Sequence, residues 1–233
     1  MRRFVITGCG RSGTTYTTAV LKKLGIRVEH EVFLSKIKPK KFGFFLHRPS
    51  RTLYFRTIDW ENDLQGEIAW QAAPLLSRLP RDIITFHQIR HPLKFVRSRL
   101  KKGLVDVKLR HQHVPVPGRA LTKDQFEQLP LQERINYLCR FWIKWNELAE
   151  QIIPAERRYR VEDLDRHFFY KICEDIEYPV TLEAIDTAID AVPKNKNTKT
   201  GLQDYDVKLE DLPTDLGSRL ENKAQQYGYS LHI

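Results

Sequence analysis

An unbroken apolar run, Phe4-Val5-Ile6, is followed at once by closely spaced glycines and then by helical spacing of apolar positions from Thr14 to Leu24. A short apolar run without alternation suits a strand covered on both faces. Strand 1 is therefore read at Arg3 to Thr7 and a helix at Thr14 to Leu24, closed by Gly25. The same alternation continues downstream. Strands are expected at Arg27 to Glu29, Thr52 to Ile58, Ile83 to Ile89 and Arg158 to Val161, with Ile83 to Ile89 central. Trp70, Ala73, Leu76 and Leu79 fall on one stripe, which predicts a helix over Gly66 to Leu79. Further helices are predicted at Pro92 to Lys101, Leu131 to Ile153, Leu164 to Asp175, Leu182 to Ala191 and Asp215 to Tyr227. Lys36 to Arg51, with Pro39 and Pro49, reads as an irregular excursion, and Gly103 to Pro130 as a long loop folding over a cleft. Strand-helix alternation of this kind builds a parallel sheet with helices on both faces, a three-layer α/β domain spanning residues 1–233.

The segment between strand 1 and its helix, Gly8-Cys9-Gly10-Arg11-Ser12-Gly13-Thr14-Thr15, carries the chemistry. Glycines at 8, 10 and 13 open backbone conformations closed to other residues, so that successive N–H groups converge on one anion at a helix amino end. The fold expected is accordingly the P-loop NTPase-like one. The loop departs from GxxxxGK[ST], because Thr14 stands where lysine follows the last glycine and the cation has moved to Arg11. A magnesium-nucleotide enzyme also needs a carboxylate at a neighbouring strand end, and Gln88-Ile89-Arg90-His91-Pro92 offers none. A metal-free, doubly anionic ligand fits this loop better.

A second anion site is implied by Arg90 at a strand end, Pro92 suited to the first turn of a helix, and Ser98 eight residues beyond the arginine. The pair GCGRSGTT and RHPLKFVRS resembles the 5′-phosphosulfate loop and 3′-phosphate motif of sulfotransferases that use 3′-phosphoadenosine 5′-phosphosulfate (PAPS). The form with arginine inside the loop is that of the tyrosylprotein and many bacterial members. Tyr159-Arg160-Val161-Glu162-Asp163-Leu164 is similar, more weakly, to the RYEDL segment of the same family. The resemblance implies transfer of a sulfuryl group from PAPS, in line and without a metal, to a hydroxyl or amine of a small-molecule, glycan or lipid acceptor. It implies cofactor contacts from Gly10, Arg11, Ser12, Gly13, Thr14, Thr15, Arg90 and Ser98, one anion site at each end of the nucleotide.

Charge builds on the bridging oxygen as the sulfuryl group leaves, so a cation must sit there, and Arg11 is placed to supply it. The acceptor must also lose a proton, which calls for a base within hydrogen-bond reach. The end of strand 2 and the residues just past it supply Glu29-His30-Glu31. In arginine-loop relatives a glutamate at a similar distance past the loop arginine serves as base, which points to Glu31, with His30 and then Glu29 as alternatives. Strand alternation would put Glu31 on the side of Glu29 and His30 on the other. Near the carboxyl end, Lys194, Lys196, Lys199 and Gly201 form a basic tract without the GxxGDW form of cytosolic members.

Composition narrows the partners. Formal charge is +10, from 39 Lys and Arg against 29 Asp and Glu, which favours a polyanionic ligand. Nucleic acid is not expected, for lack of an RNP motif or zinc-finger spacing. No stretch approaches the roughly 20 apolar residues needed to cross a bilayer, and Met1-Arg2-Arg3 leads straight into strand 1, which for a full-length chain predicts a cytoplasmic protein. Cys9, Cys139 and Cys173, without CxxC spacing, fit neither a disulfide framework nor structural zinc. Thr15 stands where a C-x5-R phosphatase loop needs arginine, so Cys9 is read as a small loop residue. Two rivals stay open on the sequence: a P-loop small-molecule or nucleotide kinase, and a non-catalytic module that binds the desulfated product, 3′-phosphoadenosine 5′-phosphate (PAP).

Overall fold

The computed structural model describes residues 1–31, 64–102, 121, 123–193 and 205–231. Five strands, β1 (Phe4–Gly8), β2 (Val28–His30), β3 (Gly66–Ile68), β4 (Ile84–Ile89) and β5 (Arg158–Arg160), form one sheet in the order β2-β3-β1-β4-β5. Every pairing is parallel, and β1 is flanked by β3 and β4 with Phe4 opposite Gly66 and Ile84. All residues of β1 and β4 are buried, which explains runs that do not alternate.

Helices cover both faces. Phe4, Ile6, Val28, Ile68, Ile84 and Phe86 pack against α1 (Thr14–Lys23), α5 (Arg166–Asp175) and α6 (Leu182–Asp190) through Val20, Leu21, Phe169, Ile172 and Ile185. On the opposite face lie α2 (Pro92–Lys102), α4 (Leu131–Glu150) and α7 (Thr214–Gln225), whose core includes Phe95, Trp142, Trp145 and Leu220. Trp142 and Trp145 are 0% and 2% exposed, so both are core residues. The result is the expected three-layer arrangement around a parallel sheet.

Two assignments change. Gly66–Ile68 is strand, and the helical part of the predicted Gly66 to Leu79 segment is a 3-10 helix over Trp70–Arg78. A three-residue strand shows no period of its own, so the apolar stripe of the following helix was extended back across it. Gly66 is needed there because a Cβ would run into the ring of Phe4 on the neighbouring strand. Within Gly103 to Pro130, Lys123–Glu127 is a short helix, α3, which buries Phe126 against the α2/α4 core. The excursion at Lys36 to Arg51, the strand at Thr52 to Ile58 and the Lys194 to Gly201 tract lie outside the described residues.

Candidate active site

The carboxyl end of β1 turns into α1 through a loop whose shape depends on three glycines used in two ways. Gly13 has φ 80 and caps α1 without any side-chain hydrogen bond; its carbonyl accepts from Tyr16 N–H at 2.9 Å, which leaves the N–H groups of Thr14 and Thr15 for an external acceptor. Gly8 and Gly10 do not have positive φ; they are small because neighbours lie against them. A Cβ on Gly8 would strike the Gln88 carbonyl, and one on Gly10 the guanidinium of Arg99. The conformational freedom read at all three positions is thus needed at Gly13 alone. The other left-handed residue of the turn is Arg11, at φ 79, a conformation that costs a non-glycine residue about 1–2 kcal/mol.

Gln88, near the end of β4, fastens this turn. Its amide nitrogen donates to the Ser12 carbonyl, and its oxygen accepts from the Thr17 hydroxyl at 2.9 Å and the Tyr159 hydroxyl at 3.2 Å. One side chain therefore ties loop, α1 and β5 together. Ser12 N–H donates to the Cys9 carbonyl at 3.0 Å, while its hydroxyl is buried with no partner, beside Gly8. Cys9 is fully buried and burial drives its thiol far above the ordinary range, the opposite of a nucleophile.

The two sequence motifs meet directly. Arg11 Nε donates to Ser98 Oγ at 3.2 Å, and Arg90 Nη1 donates to the Arg11 carbonyl at 2.6 Å. Arg90 is itself held by its own strand end: Trp142 Nε1 donates to its carbonyl at 3.0 Å. The Tyr229 hydroxyl lies 3.1 Å from the Ile89 carbonyl and 2.6 Å from Glu162 Oε2. Burial lowers the guanidinium pKa of both Arg11 and Arg90, and the charge of Arg11 lowers that of Arg90 further. A third arginine, Arg99, lies behind the loop, 5% exposed, with its pKa lowered to about 10, first by burial and then by Arg11. No carboxylate of the described residues pairs with any of the three.

β2 delivers the acid-base groups, though not as alternation predicts. Glu29 pairs with Lys22 of α1 at 3.0 Å and is turned away from the loop. His30 lies 3.0 Å from Thr14 Oγ1, on the loop side. Glu31 keeps its N–H on the Ile68 carbonyl, but its φ of 55 leaves the extended region. Alternation therefore ends at His30, and Glu31 Oε1 comes within 3.8 Å of His30 Nε2 rather than siding with Glu29. The carboxylate also raises the pKa of Arg11 against its burial. Burial lowers the pKa of His30, against the pull of Glu31, so the imidazole is neutral near pH 7.

The loop residues, Arg11, Arg90, Ser98, His30 and Glu31 thus form one neighbourhood at the carboxyl ends of β1, β2 and β4. Gln88, Arg99 and Tyr229 fall outside the expected site. Arg99 adjoins Ser98 in the sequence, and its place in the helical stripe of α2 is the available signal; nothing local marks the other two. Arginines and free helix N–H groups beside a turn that a Cβ would fill suit a phosphate or sulfate ester. Among the described residues, no group of three His, Cys, Asp or Glu could hold a metal ion.

No protein-family model matches the chain, and no curated protein sequence matches it. Solved structures do. The sulfotransferase domain from the curacin biosynthetic pathway is 15% identical, with 99% of each chain covered and a TM-score of 0.50. A sulfotransferase from Alicyclobacillus acidocaldarius is 12% identical, with 99% of this chain and 97% of that one covered and the same TM-score of 0.50. The chain has the fold of these sulfotransferases, an all-parallel five-stranded sheet between helices.

Proposed function

We propose that the chain is a PAPS-dependent sulfotransferase acting on a hydroxyl or amine of a small-molecule, glycan or lipid acceptor. One observation carries this reading: Arg11 and the Arg90/Ser98 pair, far apart in sequence, meet at the turn into α1 with no paired carboxylate among the described residues. Such a cluster is stabilised by a ligand with two anionic ends. PAPS, when bound, supplies a sulfuryl group on a phosphate leaving group. Arg11 and the first-turn N–H groups at Gly13, Thr14 and Thr15 hold the phosphosulfate end, and Arg90 with Ser98 holds the 3′-phosphate. Glu31 accepts the acceptor's proton, and neutral His30, anchored at Thr14, orients it.

The kinase reading loses ground on the residues themselves, because Thr14 replaces the phosphate-binding lysine and β4 ends in Gln88 and Ile89, with Arg90 next, where magnesium would want a carboxylate. Among the described residues, no helix is long and apolar enough to cross a membrane. A thermal-shift panel with PAP, ATP plus magnesium, and AMP tests the proposal, since a ligand that binds the folded state raises its melting temperature with affinity. PAP should give by far the largest rise. A larger rise with ATP plus magnesium would overturn the assignment, and a PAP rise without turnover on any acceptor would favour the binding module.

A further inference from the structure

Arg99 occupies a place that neither sequence motif assigns. It follows Ser98 on α2, so Ser98 faces the mouth of the loop while the next side chain passes behind it. The guanidinium lies against the Cα of Gly10, where a Cβ would collide with Nη2. Two aromatic rings lie beside it: Cζ is 5.8 Å from the centroid of Trp70 and 5.8 Å from that of Phe95. The side chain is 5% exposed, and among the described residues no carboxylate pairs with it. Burying a charge in this way is costly and is ordinarily offset by a paired anion. Its electrostatic neighbours are the buried Cys9 of the loop, the strongest of them, and Arg11 and Glu31 on the ligand face.

We propose that Arg99 is a positioning residue for the anion, a second, buried cation that acts on the bound sulfuryl or phosphoryl group through the thin backbone at Gly10. The absence of a side chain at residue 10 is what lets the charge approach from behind, while Arg11 approaches from the open side. This rests on the proposed function for the identity of the nucleotide, but not for the demand for an anion. Arg99 weakens the empty fold and strengthens the occupied one, so its charge and its packing can be separated by substitution.

The test compares Arg99→Met, which keeps the stacked volume without the charge, Arg99→Gln, which is polar and neutral, and Arg99→Lys, which keeps the charge. Affinities for PAP and for inorganic sulfate are measured by calorimetry over a salt series, with melting temperatures recorded alongside. Both neutral variants should lose about tenfold or more in affinity, ~1.4 kcal/mol, with a shallower salt dependence and melting temperatures no lower than that of the parent. Arg99→Lys should stay within about threefold of the parent in affinity. Neutral variants that bind like the parent overturn the proposal. So does collapse of both neutral variants with Arg99→Lys intact, since the charge would then serve the fold. If the parent binds sulfate but not PAP, the nucleotide reading fails while the sulfate arm still decides the role of Arg99.

Discussion

Replacing Arg90 by alanine probes the link between the two anion sites. The side chain donates to the Arg11 carbonyl at 2.6 Å, and Arg11 is held at φ 79 with its Nε on Ser98. A hydrogen bond from a charged donor is worth about 1.5–3 kcal/mol, and the left-handed residue it pins stores about 1–2 kcal/mol of strain. Arg90→Ala therefore removes the proposed contact with the 3′-phosphate and also frees the loop arginine to relax. Binding of PAP should weaken by roughly 30- to 150-fold, the equivalent of ~2–3 kcal/mol. AMP, which lacks the 3′-phosphate, should weaken as well, by about threefold to tenfold, through the loss of order at Arg11. Calorimetric titration of both nucleotides at one ionic strength measures the two effects. A variant that loses PAP and binds AMP with unchanged affinity would show that the contact between Arg90 and Arg11 does not shape the phosphosulfate site, and the coupling argued here would be wrong.

Glu31→Gln should lower turnover by about a hundredfold or more while leaving PAP affinity within a factor of two or so, the pattern of a lost general base; unchanged turnover in a steady-state assay would remove Glu31 from the mechanism. Gln88→Leu strands the Ser12 carbonyl and the hydroxyls of Thr17 and Tyr159, and should destabilise the fold by about 2–4 kcal/mol in urea unfolding at roughly 1–3 kcal/mol per stranded group, discounted for partial relaxation. His87 is fully buried, with its Nε2 2.8 Å from Asn146 Oδ1, and burial lowers its pKa from 6.5 to about 4. Because the unfolded chain binds that proton more readily, stability is fully present above about pH 6.5 and declines as pH falls to about 4, by up to ~3 kcal/mol. His87→Gln should remove most of that decline, and identical pH profiles of the two proteins in urea unfolding would refute the assignment.

Much of this site was legible in the sequence because it is local. A turn between a buried strand and a helix announces itself through composition, and Arg90, Pro92 and Ser98 are bound by the geometry of a single strand end and helix. What escaped was decided by close approach and by a change of backbone region. Gly8, Gly10 and Gly13 look alike as letters, yet only Gly13 takes positive φ; the other two make room for Gln88 and Arg99, which come from later strands and helices. Strand alternation puts Glu31 beside Glu29, whereas its φ of 55 leaves the extended region and the strand stops at His30. Gly66–Ile68 was lost for a related reason: a strand of that length is defined by its partners β1 and β2, not by any pattern of its own.

The placement of charge follows a logic that stability alone does not explain. The charge of Arg11 lowers the pKa of both Arg90 and Arg99, and the acids Glu31 and Glu162 influence the cluster without pairing. Two like charges several ångströms apart at a protein surface repel by about 2 kcal/mol, so the empty cluster opposes folding. It is held in place by neutral groups instead: the Trp142 indole on the Arg90 carbonyl, the Ser98 hydroxyl on Arg11, and the rings of Trp70 and Phe95 beside Arg99. Neutral supports fix the geometry without cancelling the field. Had carboxylates done the same work, the arginines would have been satisfied before any ligand arrived, and the affinity for an anion would have fallen accordingly.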